Sequence, residues 1–93
     1  MSKFLAVHTV GGDMNPDAAE PVGRAVKANC TADAYWIRSW YTPEDGKFYC
    51  EWDAKDAESV RKAFAAAVAQ SGMPFPLDGV YAITGAFDGE AYR

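Results

Sequence analysis

His8, Cys50 and Arg38 are the side chains of this 93-residue sequence whose chemistry invites a role beyond packing. His8 is the only histidine, so one chain cannot supply the two or three imidazoles that usually hold zinc or nickel. Two copies could gather two His8 and two Cys50 around a symmetry axis. A thiolate and imidazole set suits a soft or borderline divalent metal. This requires both side chains to share one sheet face, which strands of unknown register do not establish. Three roles are therefore open to His8: metal ligand, polar spot in a pocket, or plain structural histidine. Cys50, between Tyr49 and Glu51, reads first as a small core residue. His8 could serve it as a general base, but no third, orienting group is visible.

Arg38 lies mid-strand between Ile37 and Ser39, with Trp36 and Trp40 on its own parity. A lone buried guanidinium is expensive, so it pairs with an acid such as Glu51, stacks on a tryptophan, or binds a ligand's carboxylate or enolate oxygen. Aromatic walls, one cation and one imidazole would suit a small planar acid. Met73 and Phe75, in a loop interrupted by Pro74 and Pro76, would rim that pocket or plug the end of the sheet. The candidate ligand-binding residues are thus Arg38, Trp36, Trp40 and Met73, and the candidate metal ligands His8 and Cys50. Glu44/Asp45 and Asp53/Asp56 read as turn and helix-cap acids. No phosphate-binding glycine motif or nucleophile elbow occurs.

The elements that must position these residues follow from pattern. Lys3–Val10 is apolar and β-branched and stops at Gly11-Gly12, a first strand and turn. Asp17-x-x-Glu20 has the spacing of a carboxylate N-cap, and a helix beginning within 16–21 runs to about Asn29, its stripe being Ala18, Val22, Ala25 and Val26. Tyr35–Tyr41, the turn Thr42–Gly46 and Lys47–Asp53 form a hairpin. Val60, Ala63, Phe64, Ala67 and Val68 recur at helical spacing in a second helix ending near Gly72, and Gly79–Thr84 reads as a fourth strand. The order β-α-β-β-α-β predicts an α+β, ferredoxin-like fold: a four-stranded antiparallel sheet with both helices on one face. Residues 1–93 are read as a single domain.

Seven of the chain's thirteen aromatic residues fall within residues 35–52, and they occupy both parities of the hairpin. One helix-covered face cannot absorb them all. The economical cover for the second face is the same face of another copy, which predicts a homodimer closed into an α/β barrel.

Composition narrows the partners. Nine Lys and Arg against thirteen Asp and Glu give a net charge of −4 without a basic cluster, which argues against nucleic acid. The longest run free of polar residues, Ala63 to Ala69, is far short of the about 20 residues that span hydrocarbon, and no secretory signal is visible. Cys30 and Cys50 match no metal or redox spacing, so free thiols in a reducing cytoplasm are expected.

The hairpin segment from Arg38 to Cys50, the preceding Trp36-Ile37, and Val7-His8 on the first strand resemble a family of small cytosolic domains of unknown function that includes a nickel-binding protein. The likeness covers roughly residues 3–10 and 35–83. It implies a dimeric, ferredoxin-like α/β barrel. It also implies metal ligands at His8 and Cys50, with further histidines on the second helix and in a Gly-His-Pro turn. This chain has Phe64 or Ala63 at the helical position and Met73, in Gly72-Met73-Pro74, at the turn position. The function expected is a small non-enzymatic binding protein that holds nickel, another divalent metal or a small ligand in its barrel. The alternative from a different class is a cofactor-free monooxygenase or isomerase acting on a small aromatic or enolisable acid. There Arg38 would stabilise an anionic intermediate and His8 would move a proton. A third possibility is a sheet face used for dimerisation alone.

Overall fold

The computed structural model describes residues 1–92. It contains β1 (Ser2–Thr9), a 3-10 turn (Pro16–Ala19), α1 (Glu20–Ala28), β2 (Ala34–Thr42), β3 (Lys47–Ala54), α2 (Ala57–Ser71), β4 (Gly79–Ile83) and a last 3-10 turn (Gly89–Tyr92). The strands form one sheet in the order β2-β3-β1-β4, every neighbouring pair antiparallel. With the two helices this is the α+β ferredoxin-like arrangement that the element order predicts.

The helix ends follow capping chemistry, with one departure. Asp56 Oδ1 accepts the backbone N–H of Ser59 at 2.8 Å and so caps α2, while Gly72, at φ 72°, ends it in the left-handed region. Asp17 does not cap α1. Asn15 Oδ1 accepts from Asp17 N at 3.0 Å and starts the 3-10 turn instead, and α1 begins at Glu20 with no side-chain cap. Pro21 sits in its first turn, where a missing N–H costs nothing. The buried stripe of α1 is Val22, Ala25 and Val26; Ala18 is exposed. That of α2 is Val60, Ala63, Phe64 and Ala67.

The hairpin tip is fastened to the loop after β1. The N–H groups of Val10 and Gly11 donate to the Gly46 carbonyl at 2.8 and 2.9 Å. Gly46 has φ 64°, and a Cβ there would lie 2.9 Å from the Gly11 carbonyl carbon, so both backbone angle and space demand glycine.

Register decides which side chains face the helices. Phe4, Ala6 and His8 of β1 point toward them and are buried. Pairing sets Phe4 in a row with Trp52 and Trp36, Ala6 with Cys50 and Ser39, and His8 with Phe48 and Tyr41. These rows are possible only because β2 bulges between Trp36 and Arg38. The extra residue, Ile37, reverses the alternation of the rest of the strand. Simple parity groups Trp36 with Arg38 and Trp40; in the folded chain Trp36 faces the helices, and Arg38 and Trp40 face the opposite side.

That opposite side carries Leu5, Val7, Tyr35, Trp40, Tyr49, Tyr81 and Ile83. Tyr35, Trp40 and Tyr81 remain 46%, 48% and 58% exposed. Among them runs a charged line: Lys3 Nζ meets Glu51 at 2.9 Å and Asp53 at 3.1 Å, and Arg38 Nε meets Glu51 at 3.3 Å. Both faces are thus aromatic, as the hairpin pattern implies. Among the described residues no helix is long and apolar enough to cross a membrane.

Candidate functional site: a cavity beneath the helices

The middle row of the helix-covered face is made of small side chains, Ala6, Cys50 and Ser39, between two rows of rings. Rings on either side hold the helices off the sheet, and small residues between them leave a void. It measures about 100 Å³. Its floor is Ser39, Cys50, Trp36, Phe48 and Trp52; α1 roofs it with Val22, Gly23 and Val26, and Phe64 and Phe75 close the far side. Ala19, Gly23, Trp36, Ser39 and Phe48 also line an outer groove that carries Glu20, Arg24 and Lys27, so the cavity's mouth lies between α1 and β2. Lys27 braces that seam, its Nζ donating to the Trp36 carbonyl at 2.8 Å and lying 3.7 Å from the Tyr35 ring centre.

Polar chemistry in the cavity is a short relay. Trp36 Nε1–H donates to Ser39 Oγ at 2.9 Å, and Ser39 Oγ donates to Cys50 Sγ at 2.9 Å. Burial pushes the Cys50 thiol up to about 11, and the Ser39 hydrogen bond offsets only part of that. Cys50 is therefore a protonated thiol near neutral pH, unsuited to nucleophilic attack or metal binding without a strong driving force. The indole N–H of Trp52 is buried with no hydrogen-bond partner.

His8 lies beside this cavity without lining it. Its side chain is fully buried, and Nδ1 stands 2.7 Å from the Pro76 carbonyl. A carbonyl only accepts, so Nδ1 carries the hydrogen and Nε2 is a bare lone pair, buried with no partner. Burial holds the imidazole's pKa below its usual value, opposed by the Pro76 hydrogen bond and the charge of Asp78. The ring packs on Phe64, centres 4.7 Å apart, and on Phe75 at 5.2 Å.

The candidates read from the sequence are thus divided between two sides of the sheet. His8 and Cys50 share the helix-covered face as diagonal neighbours on adjacent strands. They cannot meet their counterparts across the opposite face, where a barrel partner would sit, because their side chains point away from it. Arg38, 64% exposed at its side chain and paired with Glu51, stands on that opposite face with Trp40, so Arg38 and His8 cannot act on one ligand. Trp36 lines the cavity. Met73 packs at the edge of the core, and its neighbour Phe75 takes the lining position. Ser39 and Trp52 are not among the candidates read from the sequence: Trp52 counts there only as one of the hairpin's aromatic residues, and Ser39 reaches the cavity only through the bulge.

The fold and this interior pocket define a ferredoxin-like α+β domain with a ligand-sized cavity between sheet and helices. Residues 4–75 match the family described as "Nickel responsive protein SCO4226-like", and the chain belongs to that family. Its fold is similar to the crystal structure of SCO4226 from Streptomyces coelicolor A3(2), with a TM-score of 0.75 and 19% identity over 92% of this chain and 100% of that one. No curated protein matches the sequence.

The donor set here does not fit nickel. Among the described residues no three His, Cys, Asp or Glu side chains converge to hold a metal ion. His8 keeps its Nε2 lone pair but is packed against two phenyl rings with no second imidazole in the chain, and Cys50 holds its proton. One imidazole and one neutral thiol fall short of the coordination that a divalent transition metal requires.

Proposed function

We propose that this protein is a non-enzymatic binding protein that takes a small apolar ligand into the cavity beneath its helices, and that it works as a homodimer in the cytoplasm. The observation that carries the reading is the cavity: about 100 Å³, almost wholly apolar and opening between α1 and β2. Left empty, a void of that size costs on the order of 2 kcal/mol at ~24 cal/mol per Å³, a sizeable part of the net stability of a small domain. A filled cavity recovers that loss. Nickel, named in the family's description, is the other cargo to consider, and the donor set above speaks against it. An acid–base reaction using Arg38 and His8 has the sheet between its two groups.

The dimer is supported by the second face, where Leu5, Val7, Trp40, Tyr81 and Ile83 form an apolar surface crossed by the internally paired Lys3–Glu51–Arg38 charges. Dimerisation there would leave the cavity of each copy free. The cytoplasmic assignment is supported by two unpaired thiols: Cys50 accepts from Ser39, and Cys30 Sγ donates to the Val26 carbonyl at 3.4 Å.

The test is a ligand-detected NMR titration of toluene against the protein and against Gly23→Leu. A Cβ on Gly23 would stand 3.6 Å from the Trp36 ring, so a longer side chain fills the mouth. Saturable toluene binding, lost in Gly23→Leu, is expected. No binding to the parent protein, or equal binding to both, would overturn the reading.

A further inference from the structure

The mouth of the cavity differs in kind from its interior. No charged side chain borders the inner void. The groove outside shares Ala19, Gly23, Trp36, Ser39 and Phe48 with the void and adds the charges of Glu20, Arg24 and Lys27. A guest long enough to leave the void therefore passes from apolar walls into a charged vestibule.

The polar groups of that vestibule are not equally available. Glu20 and Arg24 satisfy each other: Glu20 Oε1 accepts from Arg24 Nε at 3.0 Å and from a terminal guanidinium nitrogen at 2.6 Å. The Tyr41 hydroxyl donates to the Gly11 carbonyl at 2.7 Å and accepts from the Met14 N–H at 3.3 Å. Lys27 is the exception. It is exposed, its ammonium has three N–H donors of which the Trp36 carbonyl takes one, and among the described residues no carboxylate forms an ion pair with it. The carbonyl and the Tyr35 ring nevertheless fix its position, and its Nζ lies 5.8 Å from the centre of the Trp36 ring, itself a wall of the void.

Resting on the reading of this cavity as a ligand site, we propose that its ligand is an amphipathic monocarboxylate: one apolar ring or short chain fills the void, and a short arm carries the carboxylate out between α1 and β2 to the Lys27 ammonium. Size suits the apolar end, since cavities on the order of 100–150 Å³ admit one benzene-sized ring. Polarity fixes the orientation. A carboxylate inside the void would be desolvated with no cation beside it, whereas at the mouth it meets a positioned ammonium with donors to spare. A cationic head would meet Lys27 as a like charge, and Glu20 already faces a guanidinium.

The experiment is a ligand-detected NMR titration at neutral pH with toluene, 3-phenylpropionate, its neutral alcohol 3-phenylpropanol and its cationic counterpart 3-phenylpropylamine. The parent protein should bind the propionate about three- to tenfold more tightly than the alcohol, and the amine more weakly than either. Lys27→Met keeps the aliphatic stem and loses the charge. It should abolish the preference for the acid while toluene binds as before, and Lys27→Arg should retain that preference. Gly23→Leu should remove propionate and toluene binding together.

Toluene that binds to a parent protein with no preference for propionate over alcohol would overturn the proposal and leave the cavity reading intact. So would a preference for the amine, a preference for the acid that survives Lys27→Met, or propionate binding that survives Gly23→Leu and therefore lies outside the void. Failure of toluene to bind would bring down both readings. If Lys27→Met disturbs the seam and weakens toluene as well, Lys27→Arg decides: loss of the acid preference with toluene binding kept would overturn the proposal, and its retention supports it.

Discussion

Ser39 and Cys50 face each other across the β2–β3 ladder with Oγ 2.9 Å from Sγ, and between them they form the polar floor of an otherwise apolar cavity. The contact exists because a one-residue bulge delivers Ser39, rather than Arg38, to the helix-covered face. Its chemical consequence is a thiol that keeps its proton, since desolvation outweighs one hydrogen bond.

Cys50 should therefore be a sluggish nucleophile. In a Cys30→Ser background, alkylation by iodoacetamide at about pH 8 should run on the order of a hundredfold slower than for free cysteine. The rate should climb only as pH approaches about 11. Mass-spectrometric rates settle this, and reactivity equal to that of glutathione would contradict the burial of the thiol.

His8 makes stability depend on pH with a definite sign. Its folded pKa lies below the ordinary histidine value near 6.5. Between the two the unfolded chain binds more protons, so stability rises with pH through that window. The contribution is complete above the unfolded value and is lost as pH falls toward the folded one. Thermal melts from pH 7 to 5 should show the midpoint falling in the parent and a flatter profile in His8→Asn. Asp45 and Asp56, whose carboxyls are held below the usual range by neighbouring hydroxyl and backbone donors, act only in more acid solution.

Replacing His8 also tests the metal question. His8→Ala should lower stability by about 2–4 kcal/mol, through a cavity and the lost Pro76 hydrogen bond. Calorimetric titration with Ni²⁺ or Zn²⁺ should be indifferent to the same change. A binding isotherm present in the parent and absent from the variant would restore His8 as a ligand.

Gly23 sits inside α1, where glycine weakens a helix by about 0.5–1 kcal/mol relative to alanine. A Cβ at this site meets Trp36 at 3.6 Å, an ordinary contact. Gly23→Ala should accordingly raise the melting temperature by roughly 3–6 °C. An unchanged or lower midpoint would mean that the mouth is tighter than its geometry indicates.

Light scattering at micromolar concentration should give twice the chain mass. Leu5→Arg, which adds a charge to the centre of the second face without entering the core, should give a folded monomer. A monomeric parent would leave that apolar face without its proposed cover.

Much of this architecture is legible in the sequence because it rests on local rules. Helical spacing in residues 60–68, the turn chemistry of Thr42–Gly46 and the β-α-β-β-α-β order depend on neighbours along the chain, and each matches the structure. An excess of aromatic residues on both hairpin parities likewise announces a sheet with two apolar faces. Local rules also misled at one cap: Asp17 has the right spacing, but Pro21 shifts the start of α1 and leaves Asn15 to cap the preceding turn.

The site was decided elsewhere. Whether His8 and Cys50 share a face, and whether Arg38 joins Trp36, depends on strand register and on a bulge that no residue in β2 advertises. One inserted residue sends every later side chain to the other side of the sheet, because the strand repeat is two. Composition and periodicity thus determined the elements, their order and the aromatic character of both faces. Only the assembled sheet determined that small residues from three strands would line up under the helices and leave room there for a guest.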